Sequence, residues 1–293
     1  MVLGKLYDAV GAYHLMSILS YVRQPIFHLR KTFSFRRHLS HIPITIPVRW
    51  NETGFVVYAD LFRNINFVAR RNWIGEIEER RSFATLIGKF QPKVFWDVGT
   101  NIGFYSLIFL HHTSNGIVLA FEPDQRNLYL LRNTVRRNAI DTLRIVPLAV
   151  DKQSGEATFF LDDITGASGS LVPENHFISE QYGQVPLQTN VRTTTLDEQL
   201  HRSPRPDIIK IDVEGADLAV LQGGRQMLEA CLPIVSYEAT QRKFPQTQDL
   251  LQSIGYQLFN AATLEAINAG EAAYNVIALH HDKHLRGCER LEL

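Results

Sequence analysis

The stretch Lys93-Val-Phe-Trp-Asp-Val-Gly-Thr-Asn-Ile-Gly-Phe-Tyr-Ser-Leu107 decides the fold. An apolar run from Val94 to Trp96 leads to an acid, Asp97. It then meets Gly99-Thr-Asn-Ile-Gly103 before helix-forming sequence resumes at Phe104. The pattern predicts a strand, a tight glycine turn and a helix. Gly99 and Gly103 let the backbone approach a ligand closely, and the helix start offers free N–H groups. One crossover later, Ile117-Val-Leu-Ala-Phe-Glu-Pro123 reads as a second buried strand with Glu122 at its carboxyl end. An acid in that place suits the two hydroxyls of a ribose.

Glycine spacing separates the nucleotide classes. A dinucleotide fold wants G-x-G-x-x-G with room for a pyrophosphate. Here the two glycines are Gly99 and Gly103, and Asp97 stands just before them. An acid there repels phosphate and suits a cation, so a nicotinamide dehydrogenase is disfavoured. The expected cofactor is S-adenosylmethionine, which carries ammonium and sulfonium groups. The expected contacts are Asp97, Gly99, Thr100, Asn101, Gly103, Glu122 and Pro123.

From Val94 onward apolar runs and helical patterns alternate. Strands are expected at 94–98, 117–121, 144–149, 207–213, 233–238 and 274–280. Helices are expected at about 102–112, 125–138, 215–229 and 246–253. Alternation of this kind predicts a doubly wound, mostly parallel α/β sheet. Between the third and fourth strands, Ala157–Leu161 and Val191–Leu196 flank a Gly/Ser-rich loop at Gly166–Ser170. They read as an added hairpin or edge pair whose loop covers the pocket. Upstream, Ile42–Trp50 and Gly54–Tyr58 predict a short hairpin, and Trp73–Lys89 a helix ended by Pro92. The domain plan is a helical and hairpin extension at 1–90 and a cofactor-binding domain at 91–293.

The chain has 293 residues, 45% of them hydrophobic, with a formal net charge of zero. That suits a globular protein and supplies no global field toward nucleic acid or an acidic membrane. The average hides a basic N-terminus, where residues 1–50 carry seven Lys and Arg residues against the single acid Asp8. Leu6–Val22 is fairly apolar, but Asp8 and His14 interrupt it and the basic residues follow it. This argues against a signal peptide or a membrane span and for an amphipathic helix, followed by the basic stretch Arg30–His38. Its expected role is docking on the domain or at a homo-oligomer contact. Two distant cysteines, Cys231 and Cys288, give no disulfide framework and no metal spacing, so a cytoplasmic setting is expected.

A second constellation is Asp207-Ile-Ile-Lys-Ile-Asp-Val-Glu-Gly215. On a strand Lys210, Asp212 and Glu214 share one face and the isoleucines the other. A charged face is costly to bury without purpose, and strand carboxyl ends form the ligand crevice of an open α/β sheet. Glu238, closing Ile234-Val-Ser-Tyr-Glu, holds the comparable place on the next strand. The plainer reading is a Lys210–Asp212 ion pair that fixes the strand, with Glu214 capping the next helix. The cluster His280-His-Asp-Lys-His284 reads as a solvated tail, so no metal site is assigned there.

With Val98-Gly-Thr-Asn-Ile-Gly103, Phe121-Glu-Pro123, Thr195-Leu-Asp197 and Lys210-Ile-Asp-Val-Glu-Gly215 in view, the chain resembles the FkbM family of S-adenosylmethionine-dependent methyltransferases. The similarity spans about residues 90–280. The resemblance implies a class I (Rossmann-like) methyltransferase fold, whose seven-stranded sheet ends in an antiparallel strand. It also implies methylation of hydroxyls on sugars, polysaccharides or macrolide-like metabolites, with a small-molecule or glycan partner. Family patterns often have Ala where this chain has Thr100. For such a reaction Asp212 or Glu214 is the candidate base, and Lys210 orients the carboxylate. A divalent ion on Asp212, Glu214 or Glu238 is the other way to acidify a hydroxyl. A non-catalytic cofactor- or glycan-binding module of the same fold is the rival reading, but it has no need of Lys210, Asp212 and Glu214 together.

Overall fold

The computed structural model describes residues 39, 42–71, 76–173, 185–239, 243–268 and 271–286. The expected N-terminal amphipathic helix, the basic stretch after it, Trp73 and Cys288 lie outside these residues. Within them, no helix is long and apolar enough to cross a membrane. Cys231 is a free, buried thiol.

The chain enters through an antiparallel hairpin of β1 (Thr45–Arg49) and β2 (Val56–Asp60), with Val48 opposite Val57. Helices α1 (Ile65–Arg70) and α2 (Ile77–Phe90) follow. Then the α/β alternation begins: β3 (Val94–Val98), α3 (Phe104–His112), β4 (Ile117–Phe121), α4 (Gln125–Arg137) and β5 (Leu143–Val146). A side sheet is made by β6 (Ala149–Val150), β7 (Gly155–Leu161) and β8 (Leu187–Thr194). The chain returns through α5 (Leu196–Leu200), β9 (Ile208–Ile211), α6 (Asp217–Gln222), α7 (Arg225–Cys231) and β10 (Ile234–Glu238). It closes with α8 (Phe244–Ser253), β11 (Tyr256–Asn260), β12 (Asn275–His280) and α9 (His281–His284).

The main sheet has seven strands in the order β11-β12-β10-β9-β3-β4-β5. β10, β9, β3, β4 and β5 run parallel, whereas β12 runs antiparallel to both of its neighbours. Strand alternation divides the core into two layers. Phe95 and Ile208 face a layer that also holds Trp50, Phe83 and Phe109, while Trp96 and Ile209 face one with Leu221 and Leu228. The hairpin belongs to the first layer through Val48, Trp50, Val57 and Ala59. Asn138 ties it to the end of α4, accepting from Val56 N and donating to Val56 O.

Several expected boundaries shift for local reasons. The helix expected at 215–229 is two helices, broken at Gly223-Gly224. A Cβ on Gly223 would lie 2.4 Å from the Asp151 carbonyl oxygen, and one on Gly224 would lie 2.7 Å from Leu196. The strand expected at 144–149 divides into β5 and β6, and β6 leaves the main sheet to pair with β8. Six core strands were expected from the pattern, and β11 is the addition. Its Tyr-Gln-Leu-Phe-Asn directly follows Gly255, whose positive φ of 99° turns the chain out of α8. Of the His280–His284 cluster, His281, Asp282 and Lys283 are exposed as expected of a solvated tail, but the two ends are packed. His280 is buried in β12, and His284 Nδ1 accepts from His280 N while its ring meets Phe90 edge-on.

Candidate active site

Three strand ends converge at the glycine loop. Gly99 (φ 81°), Asn101 (φ 55°) and Gly103 (φ 96°) all take left-handed conformations, and the glycines do so without a Cβ penalty. Gly99 N and Thr100 N both donate to the Phe121 carbonyl at 3.0 Å, which clips the loop to the end of β4. On the other side, a Cβ on Gly99 would lie only 1.9 Å from the Asp212 carbonyl oxygen. Asp97 sits beneath the loop, buried, with Oδ2 accepting from Thr100 Oγ1 (2.7 Å), Ser106 N (3.1 Å) and Ser106 Oγ (2.5 Å). Burial raises its proton affinity, and the Ser106 and Thr100 bonds oppose that rise. Asp97 therefore anchors the loop to the start of α3.

Glu122 lies at the end of β4 and is 4% exposed. It accepts from Asn101 N (2.9 Å) and Asp124 N (2.8 Å). Burial, and secondarily the charge of Asp124, push its carboxyl up to about 8. The pocket over it is lined by Pro123, Asn127, Leu148, Ala149 and Val150, with Asp124 and Asp212 also on its wall. The loop after β7 forms its far wall. Asp162 organises that loop by accepting from Ile164 N, Thr165 N, Ala167 N and Ser168 N. Burial raises the Asp162 carboxyl, but these bonds and that from the Thr165 hydroxyl outweigh it and hold it low. The Gly166 carbonyl then accepts from Asn101 Nδ2 (2.9 Å) and Asn127 Nδ2 (3.1 Å). Arg63, sent in by the N-terminal hairpin, donates to the Asp162 carbonyl (2.6 Å) and to Asp124 Oδ2 (3.2 Å).

Beyond Gly99, Asn101, Ala167 and Asp212, which line both spaces, the slot opens into a second cavity of about 440 Å³. Its floor is charged. Lys210 is buried, with Nζ 2.6 Å from Asp212 Oδ2 and 4.3 Å from the Tyr105 ring centroid. Glu76, Asp212 and Glu238 each bring a carboxylate oxygen to within 4.8 Å of the others. Burial, then the charge of Asp212, push Glu238 up to about 9, against the pull of Lys210. Burial likewise raises Glu76. Crowded like charges away from water raise proton affinity in this way. Lys210 itself is held well above its usual range, because Asp212, Tyr105 and Glu76 outweigh the desolvation that lowers it. The three carboxylates are a donor set that divalent ions accept, yet the fixed ammonium of Lys210 already neutralises Asp212 from within the cluster.

The residues expected from the sequence come together, though not all by the expected route. β9 ends at Ile211, so Asp212 and Glu214 reach the cavity from the following turn and not by strand alternation. Glu214 has a positive φ of 54° and still lines the cavity with Lys210 and Asp212. It does not cap the next helix, whose N-cap is Ala216 without a side-chain bond. The Lys210–Asp212 ion pair is present. Gly99, Asn101, Glu122 and Pro123 line the slot over Glu122, and Asp97 and Thr100 line the larger cavity. Gly103 lies at the N-cap of α3, where an added Cβ would meet Leu131 at 2.7 Å. Sequence reading missed Arg63, Glu76, Tyr105 and Asn127. Glu76 sits in a run of surface-like charges, and Tyr105 reads as one more apolar helix residue, so neither carried a local signal.

A family model described as the methyltransferase FkbM domain matches residues 97–259, more than half of the chain. Among curated proteins the chain is similar to 2-O-methyltransferase NoeI of Sinorhizobium fredii, at 27% identity over 161 residues, 52% of this chain and 65% of that protein. It is also similar to hexuronic acid methyltransferase AglP of Haloferax volcanii, at 30% identity over 142 residues, 48% of this chain and 53% of that protein. The matches thus span between half and two thirds of these relatives' length. A solved methyltransferase FkbM from Methylobacillus flagellatus superposes with a TM-score of 0.46 at 18% identity, covering 68% of this chain and 48% of that one.

Proposed function

The chain belongs to the methyltransferase FkbM family, and we propose that it is an S-adenosylmethionine-dependent O-methyltransferase acting on a hydroxyl of a sugar, polysaccharide or macrolide-like metabolite. The observation that carries this reading is the two-part crevice, a slot with a ribose-suited acid at one end and a carboxylate-rich cavity at the other, joined at Gly99, Asn101 and Asp212. The order of the seven strands, with β12 reversed, supports a class I methyltransferase arrangement. A sugar-like acceptor draws support from the names of the two relatives, which specify 2-O-methyl transfer and hexuronic acid.

When bound, S-adenosylmethionine supplies an electrophilic methyl group on a sulfonium. Glu122 holds the ribose hydroxyls, and the left-handed turn at Gly99 lets the backbone pass close to the ligand. The cavity's excess of carboxylates favours a positive charge. Asp212 or Glu214 would take the proton of the acceptor hydroxyl, leaving its oxygen free to receive the methyl group. Lys210 fixes Asp212 through the 2.6 Å ion pair, so its role is orientation. Much of the acceleration comes from holding oxygen and methyl in line.

The test is calorimetric titration with S-adenosylmethionine, followed by donor-dependent methylation of a panel of hydroxylated sugars and metabolites with and without chelator. Micromolar donor binding and methyl ether products are the expected results. Absence of donor binding would refute the proposal, and loss of activity in chelator would move the acidifying role to a metal.

A further inference from the structure

Glu76 lies outside the segment that the family model matches, yet it forms part of the cavity wall. It precedes α2 with a positive φ of 52°, a conformation uncommon for a residue with a side chain. From there its carboxylate projects into the cavity, where Oε2 accepts the Tyr105 hydroxyl at 2.7 Å. It meets Asp212 and Glu238 across the space, with carboxylate oxygens within 4.8 Å of one another.

Among the described residues that line the cavity, acids outnumber bases. Facing the cavity are Asp97 from β3, Tyr105 from α3, Lys210 from β9, Asp212 and Glu214 after it, and Glu238 from β10. Arg63 lines the far side but is engaged with Asp124. Lys210 forms its ion pair with Asp212, and among the described residues neither Glu76 nor Glu238 has a cation within 4 Å. Tyr274 supplies Glu238 with a hydroxyl at 3.1 Å, as Tyr105 does Glu76, so both acids are oriented by neutral donors. Oriented carboxylates short of a counter-charge, in a space continuous with a nucleoside slot, favour a cationic ligand group.

We propose that Glu76 is a specificity-determining residue that reads the positive charge on the amino-acid end of the nucleoside donor. The N-terminal extension thereby completes the donor site of the family domain. Tyr105 is the positioning residue that aims this carboxylate. The inference rests on the reading of the crevice as a donor site and adds to it the group that separates a charged donor from a neutral nucleoside.

The experiment uses the full chain and two probes, S-adenosylmethionine and 5′-methylthioadenosine, which keeps the adenosine and the thioether but lacks both positive charges. Wild type is expected to bind the charged probe more tightly. Glu76→Gln keeps the side-chain shape and an acceptor for Tyr105, so it should weaken S-adenosylmethionine roughly tenfold or more, the scale of a lost charged partner. It should leave 5′-methylthioadenosine within about twofold of wild type. Tyr105→Phe should reproduce part of the loss in selectivity, and Glu76→Asp should restore part of it. Equal weakening of both probes would reduce Glu76 to a structural part of the wall, and unchanged affinities would remove it from the site; either result overturns the inference while leaving the donor site standing. A wild type that binds neither probe overturns the donor reading itself.

Discussion

Replacing Glu122 by Gln gives the most direct measure of how the crevice stores charge. The carboxylate is 4% exposed and its proton affinity is pushed from 4.5 up to about 8, by burial first and by Asp124 second. A carboxyl raised on folding keeps a proton in the native state that the unfolded chain has lost, so stability must fall as pH rises from about 4.5 through about 8. At 1.36 kcal/mol per unit, the full fall from this one group is on the order of 3 to 5 kcal/mol. Gln cannot ionise and removes that slope. It also replaces one of the two oxygens that accept from Asn101 N and Asp124 N, which costs about 1 to 2 kcal/mol. The variant should therefore be less stable than wild type near pH 5 and more stable near pH 9, with the curves crossing between. Urea denaturation midpoints at half-unit steps from pH 5 to 9 measure this. Glu238, Glu76 and Asp97 are also raised, but they act on both proteins and cancel in the difference. Parallel curves, offset by a constant at every pH, would refute the burial argument.

Gly99→Ala should destabilise the fold by roughly 2 to 4 kcal/mol, combining a left-handed backbone with a Cβ placed 1.9 Å from the Asp212 carbonyl oxygen. Equilibrium unfolding of the variant checks this, and a wild-type midpoint would mean that β3 and the turn after β9 are not packed this closely. Asp212→Asn should keep donor affinity within a few fold while lowering methyl-transfer turnover by roughly two to four orders of magnitude, as for a positioned acid–base group. If Asp212 served only as the partner of Lys210, melting temperature would drop and turnover per folded molecule would survive.

Local order was legible in the chain wherever one residue type had to meet one backbone demand. Val94–Val98 and Ile117–Phe121 read as strands because their apolar runs are bounded by turn residues, and they are strands over those residues. Gly99 and Gly103 read as a turn because only a residue without a side chain takes positive φ freely, and both do take it. Lys210, Asp212 and Glu214 read as a charged face at a strand end, and all three line the cavity. Three-dimensional packing decided what lies opposite. β11 follows directly on a helix, and its alternation was too short to separate from the helix tail. The loop at Gly166 closes over Glu122 only because Asn101 and Asn127, far apart in sequence from it, both reach the same carbonyl. Glu76 becomes part of the site only because Tyr105, 29 residues later, turns its carboxylate toward Asp212 and Glu238. Periodicity and turn chemistry are written in neighbouring residues, whereas charge compensation between buried groups depends on distances across the sheet, which no neighbouring residue encodes.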